Sequence, residues 1–211
     1  MICRMLALAA VALVFTACTI PQQTARRYIE EWYGIVDPNP SNFKICYSHG
    51  CQQWAQVQLS SAQWERIRDV FAPRPSDAAT ERECIAVAIG MLESMVGPLT
   101  GTAGDIGGSF QGTFRKKQMD CEDEAVNTST YLTMMESDGL ITYHDIYEPT
   151  MRGFVLNGWP HMATVLVDRQ TGGKFVVDSW FVDNGHPAYV LPYKKWKSGW
   201  KPKHDKKKRD S

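Results

Sequence analysis

Apolar and polar positions along the chain predict mostly helices in its first part and strands in its second. Two alternating runs, 42–47 and 54–59, predict an early hairpin. Spacing and capping residues predict helices at 28–35, from Ser60 to about Phe71, from Ser76 or Asp77 to about Val96, and from Asp120 to about Ser137. Alternating runs over 161–168 and 174–181 predict a second hairpin. This order predicts an α+β domain with N-terminal helices packed on an antiparallel sheet.

The stretches between these elements predict connecting loops and one further strand. Residues 97–112 contain six glycines with no helical or strand period, and they predict a surface loop. Leu140–Tyr147 is a strand candidate, and the proline-bounded stretch 149–160 predicts a loop after it.

The start of the chain is typical of an export signal. Arg4 precedes an apolar run, Met5–Phe15, which is shorter than the ~20 residues that a membrane-spanning helix needs. The following Thr-Ala-Cys18 resembles the lipobox of bacterial lipoproteins. The resemblance implies a signal peptide at 1–17, a lipidated Cys18 that begins a leader over 18–27, and an outer-membrane lipoprotein facing the periplasm. Ordinary cleavage just before the cysteine is the alternative.

Composition and charge narrow the class of protein. The chain has 211 residues, of which 44% are hydrophobic and 22% charged, so it is neither disordered throughout nor collagen-like. The formal net charge is zero, yet residues 194–211 hold nine Lys or Arg and two acids. We expect this basic tail, which follows a domain over 28–193, to be mostly solvated, at least beyond Trp200. The acidic body lacks the basic, aromatic surface of a nucleic-acid module, so no nucleic-acid partner is expected.

The cysteines predict one disulfide. Cys46 and Cys51 flank a four-residue tip of the first hairpin, which suits the spacing of a disulfide. Cys84 lies on the apolar stripe of the long helix and is expected in the core. Cys121 is then either free or bridged to Cys84. No spacing typical of a metal site is present, and we expect neither a metal nor another cofactor.

Cys121 is a candidate nucleophile because it starts the helix that Asp120 caps. Free backbone N–H groups and the helix dipole at this position stabilise a thiolate or a developing oxyanion. The neighbouring acids oppose ionisation, so the thiol needs a histidine partner. His161 opens a predicted strand, and a four-residue loop would place Asp178 of the next strand on the same face. Cys121 also belongs to an apolar stripe of its helix, so a structural role in the core is the alternative.

Three segments resemble the transglutaminase-like cysteine peptidase superfamily, which has a papain-like fold: Gln118-Met119-Asp120-Cys121-Glu122-Asp123-Glu124-Ala125, Trp159-Pro160-His161-Met162-Ala163 and Val176-Val177-Asp178-Ser179-Trp180-Phe181. The resemblance covers about 76–190. It implies that Cys121 is the nucleophile, that His161 transfers its proton and that Asp178 orients the imidazole. Gln118 is a candidate donor to the oxyanion. The implied activity is a cofactor-free thiol enzyme that acts on a protein or peptide amide.

Two other functions remain open at the level of the sequence. One is a catalytically silent transglutaminase-like protein that serves as a binding or scaffold lipoprotein. The other is a structural lipoprotein that binds peptidoglycan, for which the basic tail is the argument.

Overall fold

The computed structural model describes residues 22–108, 117–153 and 160–203, and these form an α+β fold. The helices are α1 Ala25–Tyr33, α2 Ser61–Val70, α3 Ala78–Thr100, α4 Cys121–Ser137 and α5 Tyr193–Lys197. The strands are β1 Phe43–Tyr47, β2 Gln53–Val57, β3 His144–Arg152, β4 His161–Asp168, β5 Lys174–Asp178 and β6 Tyr189–Pro192. Cys18 and the predicted signal peptide lie outside the described residues.

Two antiparallel sheets are present in the described part of the chain. Strands β3 to β6 form one sheet in chain order, and β1 and β2 form the predicted early hairpin. In the pairing of β4 with β5, Thr164 lies opposite Val177, and Asp168 N donates to Gly173 O at 2.9 Å. This register corresponds to a four-residue loop. It places position 161 and Asp178 on the same face, because side chains alternate along a strand.

Helix α4 lies at the centre of the packing. It contacts β4 on one side and the β1–β2 hairpin and α1 on the other. Its side chains from Asp123 to Met135 are all buried. Because little of the helix faces solvent, its amphipathic signal is weak, and its capping residue is the clearer sign of where it begins.

Helix α3 continues four residues beyond its predicted end and takes up the start of the predicted glycine loop. It passes through Pro98 and closes at Gly101, whose φ of 82° is in the left-handed region that favours glycine. The Thr100 hydroxyl donates to Val96 O at 3.1 Å and secures the last turn. Among the described residues, α3 is the one helix whose length and apolar composition would allow it to cross a membrane. Of its most apolar 18-residue stretch, 56% is buried inside the fold.

The packed chain extends beyond residue 193, where the basic tail was predicted to begin. Trp196 of α5 is 0% exposed. The guanidinium of Arg152 donates to the backbone oxygen of Trp196 and, at 2.8 Å, to that of Trp200. Lys194 and Lys195 of α5 are exposed, so a basic surface and a buried aromatic side chain share this short helix.

A buried carboxylate ties α3 to the start of β3. Glu81 accepts hydrogen bonds from Thr142 N at 2.6 Å, Tyr143 N at 2.9 Å and His144 Nδ1 at 2.8 Å. Nδ1 must be the donor, since Arg82 donates to the other ring nitrogen at 3.0 Å. Burial opposes ionisation of Glu81, but the hydrogen bonds outweigh it and hold the pKa below its usual value.

We predict that Glu81→Ala lowers the free energy of unfolding by about 2–4 kcal/mol, because three donors lose their acceptor inside the protein. Urea denaturation followed by circular dichroism measures the change. Glu83→Ala on the exposed side of the same helix is the matched control and should shift stability by less than about 0.5 kcal/mol. Equal effects of the two substitutions would contradict the role given to Glu81.

Candidate active site

Cys121 occupies the first turn of α4, and a capping box holds it there. Asp120 Oδ1 accepts from the backbone N of Glu122 and from that of Asp123, each at 3.0 Å. Asp123 Oδ2 accepts in return from Asp120 N at 3.1 Å. The thiol therefore lies at the positive end of the helix dipole, between two acidic residues.

The hairpin tip packs against this helix start. Asp123 is buried, and it accepts from His49 N at 2.8 Å and from Cys51 N at 2.7 Å. Burial and the nearby Asp120 carboxylate raise the pKa of Asp123 to about 6, although the backbone donors oppose this. The predicted disulfide between Cys46 and Cys51 is present. The tip and the helix start therefore form one hydrogen-bonded unit.

His161 and Asp178 are in direct contact on the face of the sheet that the β4–β5 register creates. His161 Nε2 lies 2.7 Å from Asp178 Oδ2, and Trp196 Nε1 donates to the same oxygen at 2.7 Å. The rings of Trp180 and Phe181 have their centroids 4.9 Å from that of His161. A carboxylate can only accept here, so Nε2 carries the proton and Nδ1 is left as an acceptor.

The thiol of Cys121 lies beside this pair without bonding to the imidazole. The backbone N–H of Met162, which follows His161 in the chain, is near enough to the sulfur to lower the pKa of the thiol. His161 Nδ1 is buried and makes no hydrogen bond to any described residue. Cys121 and Cys84 are both free, so the alternative of a bridge between them is absent.

The surroundings of Cys121 keep it protonated. Burial is the largest cause, and with the negative charges of Asp120 and Asp178 it raises the pKa of the thiol to about 11. The Met162 N–H and the helix N-terminus act in the opposite direction and are outweighed. The resting form is a neutral thiol, which would act as a nucleophile only with the help of a base.

Gln118 has a different environment from the one expected of an oxyanion donor. Its Nε2 donates to Gly104 O at 2.8 Å, and its Oε1 accepts from Ile106 N at 3.1 Å. No hydrogen bond joins it to Cys121 among the described residues. The side-chain amide holds the loop after α3, and the backbone N–H of Cys121, which the Asp120 cap does not engage, is the better candidate for the oxyanion.

One group of possible metal ligands lies near the thiol. Atoms of His49, Asp120 and Asp123 fall within 4.8 Å of one another. The carboxylates of this group are already the acceptors of the helix cap and the hairpin tip. We therefore assign them to the cap and assign no metal to the group.

Trp196 is the member of the site that sequence reasoning missed. It lies within the segment interpreted as a basic tail, where lysines dominate the composition. Tyr193, Trp196 and Trp200 are spaced three and four residues apart, which is the spacing of one helix face. That spacing was the available signal for a packed helix.

Two buried carboxyl groups lie behind the site. Glu124 Oε2 accepts from the hydroxyl of Ser179, the residue after Asp178, at 2.5 Å. Glu93 accepts from Gly185 N at 3.2 Å and interacts with Glu124. Burial, with the charge of Asp105 adding to it, raises the pKa of Glu93 to about 8, and burial also raises that of Glu124. Both groups are therefore neutral acids at pH 7.

Comparisons of this chain with protein-family models, with curated proteins and with solved structures found no match. The chemistry of the site is therefore argued from the geometry described above.

We predict that Trp196→Phe lowers the free energy of unfolding by about 1–2 kcal/mol more than Trp200→Phe does. Both substitutions remove part of an indole ring, but only the first removes a hydrogen bond to Asp178. Chemical denaturation of the two variants in parallel measures the difference. Equal losses would show that the indole N–H contributes nothing to the site.

Because the pKa of Glu93 is raised, we predict that the free energy of unfolding falls as pH rises. Its folded-state pKa of about 8 is above the unfolded value, so its contribution is full in acid and is lost as pH passes through about 8. We expect the free energy of unfolding to fall by about 2–4 kcal/mol between pH 5 and 9. Glu93→Gln cannot ionise and should reduce this slope to the part that Glu124 contributes, whereas Glu83→Gln on the surface should preserve it. An unchanged slope in Glu93→Gln would refute the assignment.

Proposed function

We propose that this protein is a thiol enzyme that cleaves or transfers an amide through Cys121, His161 and Asp178. The observation that carries the proposal is the 2.7 Å contact of Asp178 Oδ2 with His161 Nε2, which leaves the buried Nδ1 as an acceptor without a partner in the described structure. The Asp178 charge raises the pKa of the Cys121 thiol, which supports a site built from a helix start and two strands, with a complementary role for each group.

The steps follow from the protonation states of these groups. His161 Nδ1 takes the thiol proton as the Cys121 sulfur attacks the amide carbonyl carbon, and the carbonyl electrons move to the oxygen. When the tetrahedral intermediate collapses, the carbon–nitrogen bond breaks and the amine leaves with the proton from Nδ1. Water or a second amine then attacks the thioester and releases Cys121, again with proton transfer through His161.

The carboxylate of Asp178 is what makes the proton transfer feasible. A thiol whose pKa is about 11 does not ionise alone near neutral pH. The imidazolium that forms on proton transfer lies against the Asp178 carboxylate, and in a buried site this pairing is strong. The nucleophile is therefore generated only as the base becomes charged.

The proposal also includes the family of the protein and its location in the cell. The resemblance of the three motifs supports membership of the transglutaminase-like cysteine peptidase superfamily. The lipobox-like segment before Cys18 supports a lipid-anchored protein of the bacterial outer membrane that faces the periplasm. Its substrate would then be a protein or peptide amide of the cell envelope.

One observation favours the alternative of a catalytically silent binding or scaffold lipoprotein. No hydrogen bond joins Cys121 to His161 in the described structure, and the half-buried thiol lies next to acidic residues that disfavour the thiolate. In that case the His161–Asp178 pair only stabilises the sheet. The two functions differ in whether His161 controls the chemistry of the thiol.

We predict that His161→Ala slows alkylation of Cys121 by iodoacetamide at pH 7 by about tenfold or more, because the thiol loses its base. Asp178→Asn should slow it as well, since the imidazole loses its orientation and its counter-charge. Peptide mass mapping follows the rate at Cys121, and Cys84 in the same sample is the internal control.

Equal rates at Cys121 in the wild type and in His161→Ala would favour the silent alternative. Amidase activity that survives Cys121→Ala would end the enzymatic proposal.

A further inference from the structure

Three aromatic side chains form a row near Cys121, which we call the aromatic ledge: Tyr28, Tyr33 and Trp54. The ring centroids of Tyr28 and Tyr33 are 5.5 Å apart, and those of Tyr33 and Trp54 are 6.1 Å apart. The Tyr28 hydroxyl lies 4.0 Å from Met162 Sδ, and the backbone N–H of Met162 contacts the Cys121 sulfur. Trp54 is 37% exposed, so the ledge leads from the thiol towards solvent.

A carboxylate without a basic partner lies along this ledge. Glu122 Oε1 accepts from the Tyr33 hydroxyl at 2.9 Å. Among residues 22–108, 117–153 and 160–203, neither Glu122 nor Asp120 forms an ion pair. Both side chains are only partly buried, and they flank the thiol in the sequence.

We propose that the aromatic ledge, with Glu122, binds a cationic side chain of the substrate next to the amide that Cys121 attacks. The substrate class is a peptide with a lysyl, arginyl or similar ammonium or guanidinium group. The inference rests on the proposed function for its biological meaning. A cation is attracted to the faces of Tyr and Trp rings by their quadrupole and to the carboxylate by its charge, so both parts of the ledge act together.

Other ligand classes suit the ledge less well. An apolar side chain would cover Glu122 and leave its charge without water or a counter-charge, which is costly. An anionic group would be repelled by Glu122 and Asp120 on either side of the thiol. A cationic group instead supplies the counter-charge that the described residues lack.

The test uses thiosulfonate reagents, because they report on the surroundings of the thiol even where Cys121 catalyses nothing. The thiolate attacks the reagent's sulfenyl sulfur, a disulfide forms and methanesulfinate leaves. Three forms are compared: neutral methyl methanethiosulfonate, its trimethylammonium-ethyl analogue and its sulfonato-ethyl analogue. Mass mapping gives the rate at Cys121, and the cation-to-neutral ratio cancels the thiol's own reactivity.

In the wild type this ratio should exceed that of a small free thiol by about five- to tenfold. Trp54→Leu should lower this ratio severalfold, and Glu122→Gln should lower it further. Trp32→Leu is the matched control, since Trp32 is 71% exposed and lies outside the ledge on α1. The effect of Trp54→Leu should persist at high salt, where charge attraction is screened.

A wild-type ratio equal to that of the free thiol would overturn the proposal. A preference that salt abolishes and Trp54→Leu leaves unchanged would also overturn it, because the cause would then be the general negative field. These results are separate from the iodoacetamide test, in which His161 is changed and the ledge is left intact.

Discussion

The register between β4 and β5 is the constraint on which the rest of the site depends. Side chains alternate between the two faces of a strand, so a slip of one residue would turn His161 and Asp178 away from each other. The turn is secured locally: Asp168 Oδ1 accepts from Gln170 N and Thr171 N, each at 2.9 Å. A short hydrogen-bonded loop far from the thiol thus decides which groups can meet.

The charges around the site explain its resting state. Acidic residues flank Cys121, and the groups that lower the pKa of its thiol are the neutral backbone N–H donors of Met162 and of Cys121 itself. Asp178 accepts from two side chains at one oxygen, His161 and Trp196, while its other oxygen is buried without a partner in the described structure. The negative charge at this site therefore lies on carboxylates, and the thiol of Cys121 stays neutral at rest.

Local patterns were enough to predict the parts of the fold that neighbouring residues specify. The capping aspartate at Asp120, the hairpins and the disulfide all follow from spacing over a few residues, and the structure contains them. The contact of Trp196 with Asp178 and the neutral pair formed by Glu93 and Glu124 were not predictable in this way. They depend on burial by segments distant in sequence, and periodicity carries no information about such contacts.

The attachment of Trp196 to Asp178 has a consequence for the order in which the site is completed during synthesis. The thiol of Cys121 leaves the ribosome first, followed by His161, Asp178 and finally Trp196. A chain that has emerged only as far as β5 contains Cys121, His161 and Asp178, but the Asp178 carboxylate lacks the hydrogen bond from Trp196 and the cover of α5. The nascent protein thus carries an incomplete site. The site is complete only after the lysine-rich segment that contains α5 has emerged and packed.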